Sequence, residues 1–90
     1  MNKQDLINKM AEDAGITKEQ ARSALQAFEY GVTEALANGD NVQMVGFGTF
    51  STAKRKSRIG RNPKTGESLQ IPAKNVAKFK AGKSLDEAVN

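Results

Sequence analysis

"KRKSRIGRNPKTGESLQIPAK", residues 54–74, holds both prolines of the chain and two of its glycines, yet almost nothing that a core could bury. At its centre, Asn62-Pro63-Lys64-Thr65-Gly66 is a turn signal, because proline presets φ and glycine tolerates positive φ. With residues 62–66 as the turn, antiparallel pairing sets Ile59 opposite Leu69, Arg61 opposite Glu67 and Ser57 opposite Ile71. An apolar pair and an opposite-charge pair favour a two-stranded ribbon over an irregular loop. A lone ribbon is marginally stable in water, so its distal half is expected to become ordered on what it binds.

The charge of this segment says what that is. Lys54, Arg55, Lys56, Arg58, Arg61 and Lys64 follow one another with no acid among them. Residues 1–50 carry four basic side chains against seven acidic ones, a net −3, whereas residues 51–90 carry ten against three, a net +7. A solvated face normally mixes both signs; a block of one sign repels itself unless a polyanion is near. Along an extended strand Lys54, Lys56 and Arg58 point one way and Arg55 and Arg61 the other, so the ribbon is positive all round.

Outward from the ribbon, Val42 and Met44 alternate with Gln43, and "VGFGTF" at 45–50 reads as two strands joined by a tight turn. Phe47, Phe50 and Phe79 supply most of the aromatic content and are read as packing residues rather than base-stacking ones. Towards the N-terminus, Leu6, Ile7, Met10, Ala11 and Ala14 recur at helical spacing, and Gly15 stops a helix over 3–14. Thr17 and Gln20 have capping-box spacing before a second stripe, Ala21, Ala24, Leu25, Phe28, Val32, Ala35 and Leu36, which runs to Gly39. At the other end Ser84 and Glu87 have the same spacing ahead of a short last helix.

Ninety residues make one domain at most. With the ribbon excluded, roughly seventy remain to build a core, a marginal number that favours pairing with a second chain. Cysteine and histidine are both absent, which excludes disulfides, thiolate chemistry, His-based nucleophile activation and Cys/His zinc sites. No catalytic constellation, metal set or cofactor motif can be assembled. The first residues interrupt their apolar positions with Asp5, Asn8, Lys9, Glu12 and Asp13, unlike a signal peptide, and no stretch has transmembrane length, so the expectation is a cytoplasmic protein without membrane contact.

A β-ribbon is narrow enough to enter a DNA groove, and one this basic follows phosphates and displaces counterions. No helix face gathers Asn, Gln and Arg for base reading, so the contacts are with backbone and groove shape. Pro63 at the tip has two compatible readings: a turn former, which the local chemistry favours, or an apolar wedge that unstacks a base step from the minor groove.

The pieces "MNKQDLI" at the start, "GDNVQMVGFGTF" at 39–50, "GRNPKTGE" at 60–67 and "FKAGKSL" at 79–85 together resemble the bacterial histone-like HU and integration host factor family. Minor-groove architectural proteins, this family among them, use such wedges. The resemblance implies an α+β fold: a helical hairpin base, a three-stranded antiparallel sheet with a long β-ribbon arm, and a short C-terminal helix, all in an intertwined dimer. It divides a single DNA-binding domain into a dimerisation base with the first strands (1–50), an arm (51–76), and a return strand with the last helix (77–90). The implied function is largely sequence-independent minor-groove binding that bends and compacts double-stranded DNA on the nucleoid. Preference for nicked or bent DNA, binding of RNA, and a homodimer against a paired paralogue stay open.

Carried over to this chain, the DNA-binding residues are Lys54, Arg55, Arg58, Arg61, Asn62, Pro63, Lys64 and Lys74 on the arm, with Lys3, Lys80 and Lys83 on the body. Pro63 is the intercalating tip, and Phe28, Leu36, Phe47, Phe50 and Phe79 form the dimer core. Two positions depart from the family pattern, Ala77 where proline is frequent and Asp86 where a basic residue is frequent. Two other readings exist. In one, Thr17–Leu25 is the recognition helix of a helix-turn-helix, against which stand Glu12, Asp13, Glu19, Glu29 and Glu34. In the other, the basic arm docks an acidic protein.

Overall fold

The computed structural model describes every residue from Met1 to Asn90. In chain order it contains α1 (Lys3–Ala14), α2 (Lys18–Ala37), β1 (Val42–Met44), β2 (Gly48–Arg55), β3 (Arg58–Arg61), β4 (Ser68–Ile71), β5 (Lys74–Ala81) and α3 (Lys83–Ala88). The α+β arrangement is the expected one. The backbone divides into two compact units, Met1–Glu34 and Ala35–Asn90.

In the first unit, α1 begins at a reciprocal cap that the sequence reading passed over. The Asn2 side chain accepts from the Asp5 N–H at 2.9 Å, and the Asp5 carboxylate accepts from the Asn2 N–H at 3.0 Å. Gly15 ends the helix in the left-handed region at φ 68°, where a side chain would be strained. The anticipated Thr17–Gln20 box opens α2, with both reciprocal bonds at 3.0 Å. Between the helices Ile7, Ala11 and Ala21 are buried, with Met10 and Leu25 packed against them. Arg22 donates to the Gln4 side chain at 3.2 Å, and Lys3 pairs with Glu29 at 2.7 Å, which ties the start of α1 to α2.

In the second unit β2 lies between β1 and β5 in an antiparallel sheet, and β3 and β4 form a separate ribbon. Val42 stands opposite Phe50 and Met44 opposite Gly48, while β2 and β5 pair from Gly48–Ala81 to Arg55–Lys74. Alternation then gives the sheet two unlike faces. Val42, Met44, Phe50, Ala77, Phe79 and Ala81 share one, with Thr52, Lys54 and Asn75 towards the arm; Thr49, Ser51, Arg55, Lys74, Lys78 and Lys80 share the other, with Ala53 and Val76 among them. On the apolar face the Phe79 ring is tilted against Phe50 and Phe47, at centroid distances of 4.8 and 5.7 Å.

The ribbon differs from expectation by one residue. Arg58 faces Ile71, Ile59 faces Gln70, Gly60 faces Leu69 and Arg61 faces Ser68, so neither Ile59–Leu69 nor Arg61–Glu67 forms. The reason lies in the turn. Asn62 already belongs to the ladder, donating to the Glu67 carbonyl at 2.8 Å, which leaves a loop of Pro63–Gly66 closed by a 2.7 Å bond from Gly66 N–H to Asn62 C=O. A one-residue slip moves every side chain to the other face. Leu69 and Ile71 consequently share a face with Gly60, over which the Ile71 Cδ1 methyl folds.

At the end, α3 starts two residues earlier than expected and uses no side-chain cap. Its N-cap is Gly82, and the Ser84–Glu87 box does not form. Backbone contact with the β1–β2 turn replaces it: Gly82 N–H donates to Phe47 C=O at 2.8 Å and Leu85 N–H to Gly46 C=O at 3.3 Å. A Cβ on Gly82 would stand 2.8 Å from the Gly46 carbonyl, so only glycine permits the approach.

Candidate nucleic-acid interface

The arm is one ribbon in two pieces. The pairing that joins Arg55 to Lys74 and the pairing that joins Arg58 to Ile71 follow the same register, with the residues 56–57 and 72–73 between them outside the strands. Pro72, which has no N–H to donate, stands in that gap. The arm therefore extends the central hairpin of the sheet without a bulge, and Arg55, Arg58, Arg61 and Lys64 succeed one another along it.

Arg55 is the most constrained of these cations. It lies directly opposite Lys74, and like charges directly opposite on a ladder destabilise it. Its Nε is shielded from solvent and makes no hydrogen bond within the chain. An anion across the pair would relieve both. The chain's ion pairs are Lys3–Glu29, Lys9–Asp13 and Lys83–Glu87, at 2.7, 3.4 and 4.0 Å, so no arm cation is neutralised internally. Lys54, Lys56, Arg58, Arg61 and Lys64 are all exposed.

The structure brings together Arg55, Lys74 and Lys80 on the polar face of the sheet and Arg61, Asn62, Pro63 and Lys64 at the tip. Lys54 stands opposite Asn75, on the opposite side of the ladder from Arg55. Lys83 lies in the first turn of α3 with Glu87 as its partner, and Lys3 lies at the start of α1 bound to Glu29; each must give up a carboxylate to meet a phosphate. Among the residues expected in a core, Phe47, Phe50 and Phe79 form one cluster on the apolar face, whereas Phe28 and Leu36 lie on α2. Thr17 and Gln20, which a helix-turn-helix reading would turn towards bases, cap each other.

Two further cations belong to this surface, Lys78, which the sequence reading did not single out, and Lys56, which it counted in the basic run but not among the DNA-binding residues. Lys78 lies opposite Ser51 on the same face as Lys80 and Arg55, and Lys56 sits in the gap between the two ladders. The signal for Lys78 was its spacing: lysines two apart in a strand point the same way.

The tip presents Pro63 to solvent on a closed turn. The Asn62 side-chain oxygen accepts from the Lys64 N–H at 2.9 Å, and the Thr65 hydroxyl oxygen accepts from the Glu67 N–H at 3.3 Å. Gly66 takes φ 74°, the left-handed conformation that the turn needs.

Comparison with known proteins agrees with this geometry. The family model described as "Bacterial DNA-binding protein" matches residues 1–90. The chain is 55% identical over 89 residues to DNA-binding protein HU-alpha of Vibrio proteolyticus, and 51% identical over 89 residues to DNA-binding protein HU of Geobacillus stearothermophilus, with 99% of each chain covered in both cases. Among solved structures, HU in a cocrystal of Anabaena HU with DNA superposes with a TM-score of 0.94 at 48% identity, over 99% of this chain and 97% of that one. HU of Thermotoga maritima superposes at 0.70 with 34% identity over the whole of both chains. From end to end, the chain belongs to the bacterial DNA-binding protein family of which HU is a member.

Proposed function

We propose that the protein is an architectural DNA-binding protein that holds the minor groove between two arms, bends the duplex and compacts it, with little regard for sequence. The observation that carries this reading is the arm itself: a paired ribbon whose cations have no carboxylate partner, ending in an exposed proline. Such a surface neutralises phosphates along a groove and displaces their counterions. It offers no array of amide and guanidinium groups on a helix for reading base edges. The role is one of binding and shaping rather than catalysis, exercised in the cytoplasm on the nucleoid.

Two chains act together. In the single chain the only buried apolar side chains are Ile7, Ala11 and Ala21, and Phe47 and Phe79 keep 47% and 43% of their surface. A second copy covering the apolar sheet face supplies the missing core and places two arms on one duplex. The domain works as a dimerisation base, residues 1–50, an arm, 51–76, and a return strand with the last helix, 77–90. Arg55, Arg58, Arg61 and Lys64 contact the phosphates bordering the groove, with Lys54 and Lys74 at the arm's root. Pro63 enters a base step, and Lys80, Lys83 and Lys3 meet the flanking DNA. No helix of the chain is long and apolar enough to cross a membrane.

Gel-shift titration of duplexes of unrelated sequence at two salt concentrations tests this. Affinity is expected to fall steeply with salt, and replacement of Arg58 and Arg61 together by alanine to weaken every duplex alike. Loss confined to one sequence would indicate base readout, and the absence of any shift would leave the arm to a protein partner.

A further inference from the structure

Asn62 lies beside the wedge, and in the family-based assignment it is a DNA contact. Its geometry points elsewhere. The side-chain oxygen is committed to the Lys64 N–H at 2.9 Å, the backbone N–H to Glu67 C=O at 2.8 Å and the backbone C=O to the Gly66 N–H at 2.7 Å. Asn62 is also only partly exposed, whereas Pro63, Lys64, Thr65 and Gly66 are all exposed. Three bonds from one residue therefore bracket the proline: one behind it, one across the loop, and one onto the residue that follows it.

We infer that Asn62 is a positioning residue that sets the angle of the Pro63 wedge, rather than a residue that reads or holds DNA. The inference rests on the minor-groove wedge proposed above. An amide that enters a base stack without a partner loses its hydrogen bonds to water and gains none, a cost that falls on any loose turn. Here three of the backbone donors that follow the proline are already satisfied. Pro63 has no N–H, Lys64 N–H is held by Asn62, Gly66 N–H by the Asn62 carbonyl, and Glu67 N–H by the Thr65 hydroxyl. Because proline fixes its own φ, the remaining freedom of the wedge lies in the ψ torsions of Asn62 and Pro63, and the bond from the Asn62 side chain to Lys64 N–H spans both. Losing the cap lowers the population of the wedge-ready tip about fivefold, the factor expected for one net hydrogen bond.

The test compares the full-length wild type with Pro63→Ala, Asn62→Ala and Asn62→Asp on a duplex labelled at both ends, with affinity from titration and bend from fluorescence transfer at saturation. Asparagine and aspartate both offer the accepting oxygen; alanine does not. The expected result is that Asn62→Ala bends DNA less and with a broader distribution, while its affinity changes less than about threefold, since no charge is lost. Asn62→Asp should lose more affinity, through its negative charge, yet recover the bend. Wild-type bending by Asn62→Ala, with Pro63→Ala bending less, overturns the inference and leaves the wedge standing. Loss of affinity by Asn62→Ala with an unchanged bend makes Asn62 a direct contact and also overturns it. Wild-type bending by Pro63→Ala removes the wedge and the inference together.

Discussion

Phe79 lies across Gly48, and that contact decides what residue 48 has to be. A Cβ there would fall 2.6 Å from the ring Cε1 and 2.7 Å from the Lys80 carbonyl oxygen, one flexible neighbour and one fixed. Gly48→Ala is accordingly expected to displace the ring from Phe47 and Phe50 and to destabilise the fold by about 1–3 kcal/mol, the range for overpacking, as read from denaturant unfolding. Gly46 and Gly82 differ in kind: the first takes φ 83° and the second allows backbone to approach backbone. The sequence displayed all three glycines but could not assign these reasons, because each depends on a residue more than thirty positions away or on a dihedral angle. Individual cations were legible by type, whereas their state was not. Nothing in the spacing of Lys3 and Glu29 announces their ion pair, which needs two helices folded against one another.

At the scale of elements, the helix stripes, the strand alternation and the turn at Asn62–Gly66 were all readable, and the helix bounds of α1 followed from them. The ribbon register was not. Ile59 opposite Leu69 looked right because it paired two apolar residues, but the turn geometry outranks such a pair, and Ile59 is left 78% exposed. The basic face of the sheet emerges only from register, since it joins Arg55 to Lys74, Lys78 and Lys80 across two strands. That face makes a quantitative expectation possible for a residue the sequence reading left out. Lys78→Ala should weaken all duplexes about equally and reduce the slope of log affinity against log salt by about 1, as for a phosphate contact. Lys83→Ala is expected to change the slope less, since Lys83 already has Glu87. Equal slopes for wild type and Lys78→Ala in a salt titration would place that face away from DNA.

For the molecule as a whole, the small core is the governing fact. A ninety-residue chain whose buried apolar set is Ile7, Ala11 and Ala21 gains most of its stability by association. The thermal midpoint is expected to rise with protein concentration, and sedimentation at micromolar concentration to give a dimer; a midpoint constant over a hundredfold dilution would contradict the shared core. The pairing of chains was legible as a need, from the residues that the arm withholds from folding, though not as a surface. One further property follows from the gap at residues 56–57 and 72–73. Because residues 56–57 and 72–73 lie outside both ladders, this joint is where the arm is expected to bend, with the pairing on either side left intact. A clamp hinged in this way is expected to open and close at the speed of a loop rather than of a folding reaction, which would leave the lifetime of a complex to its contacts and not to the hinge.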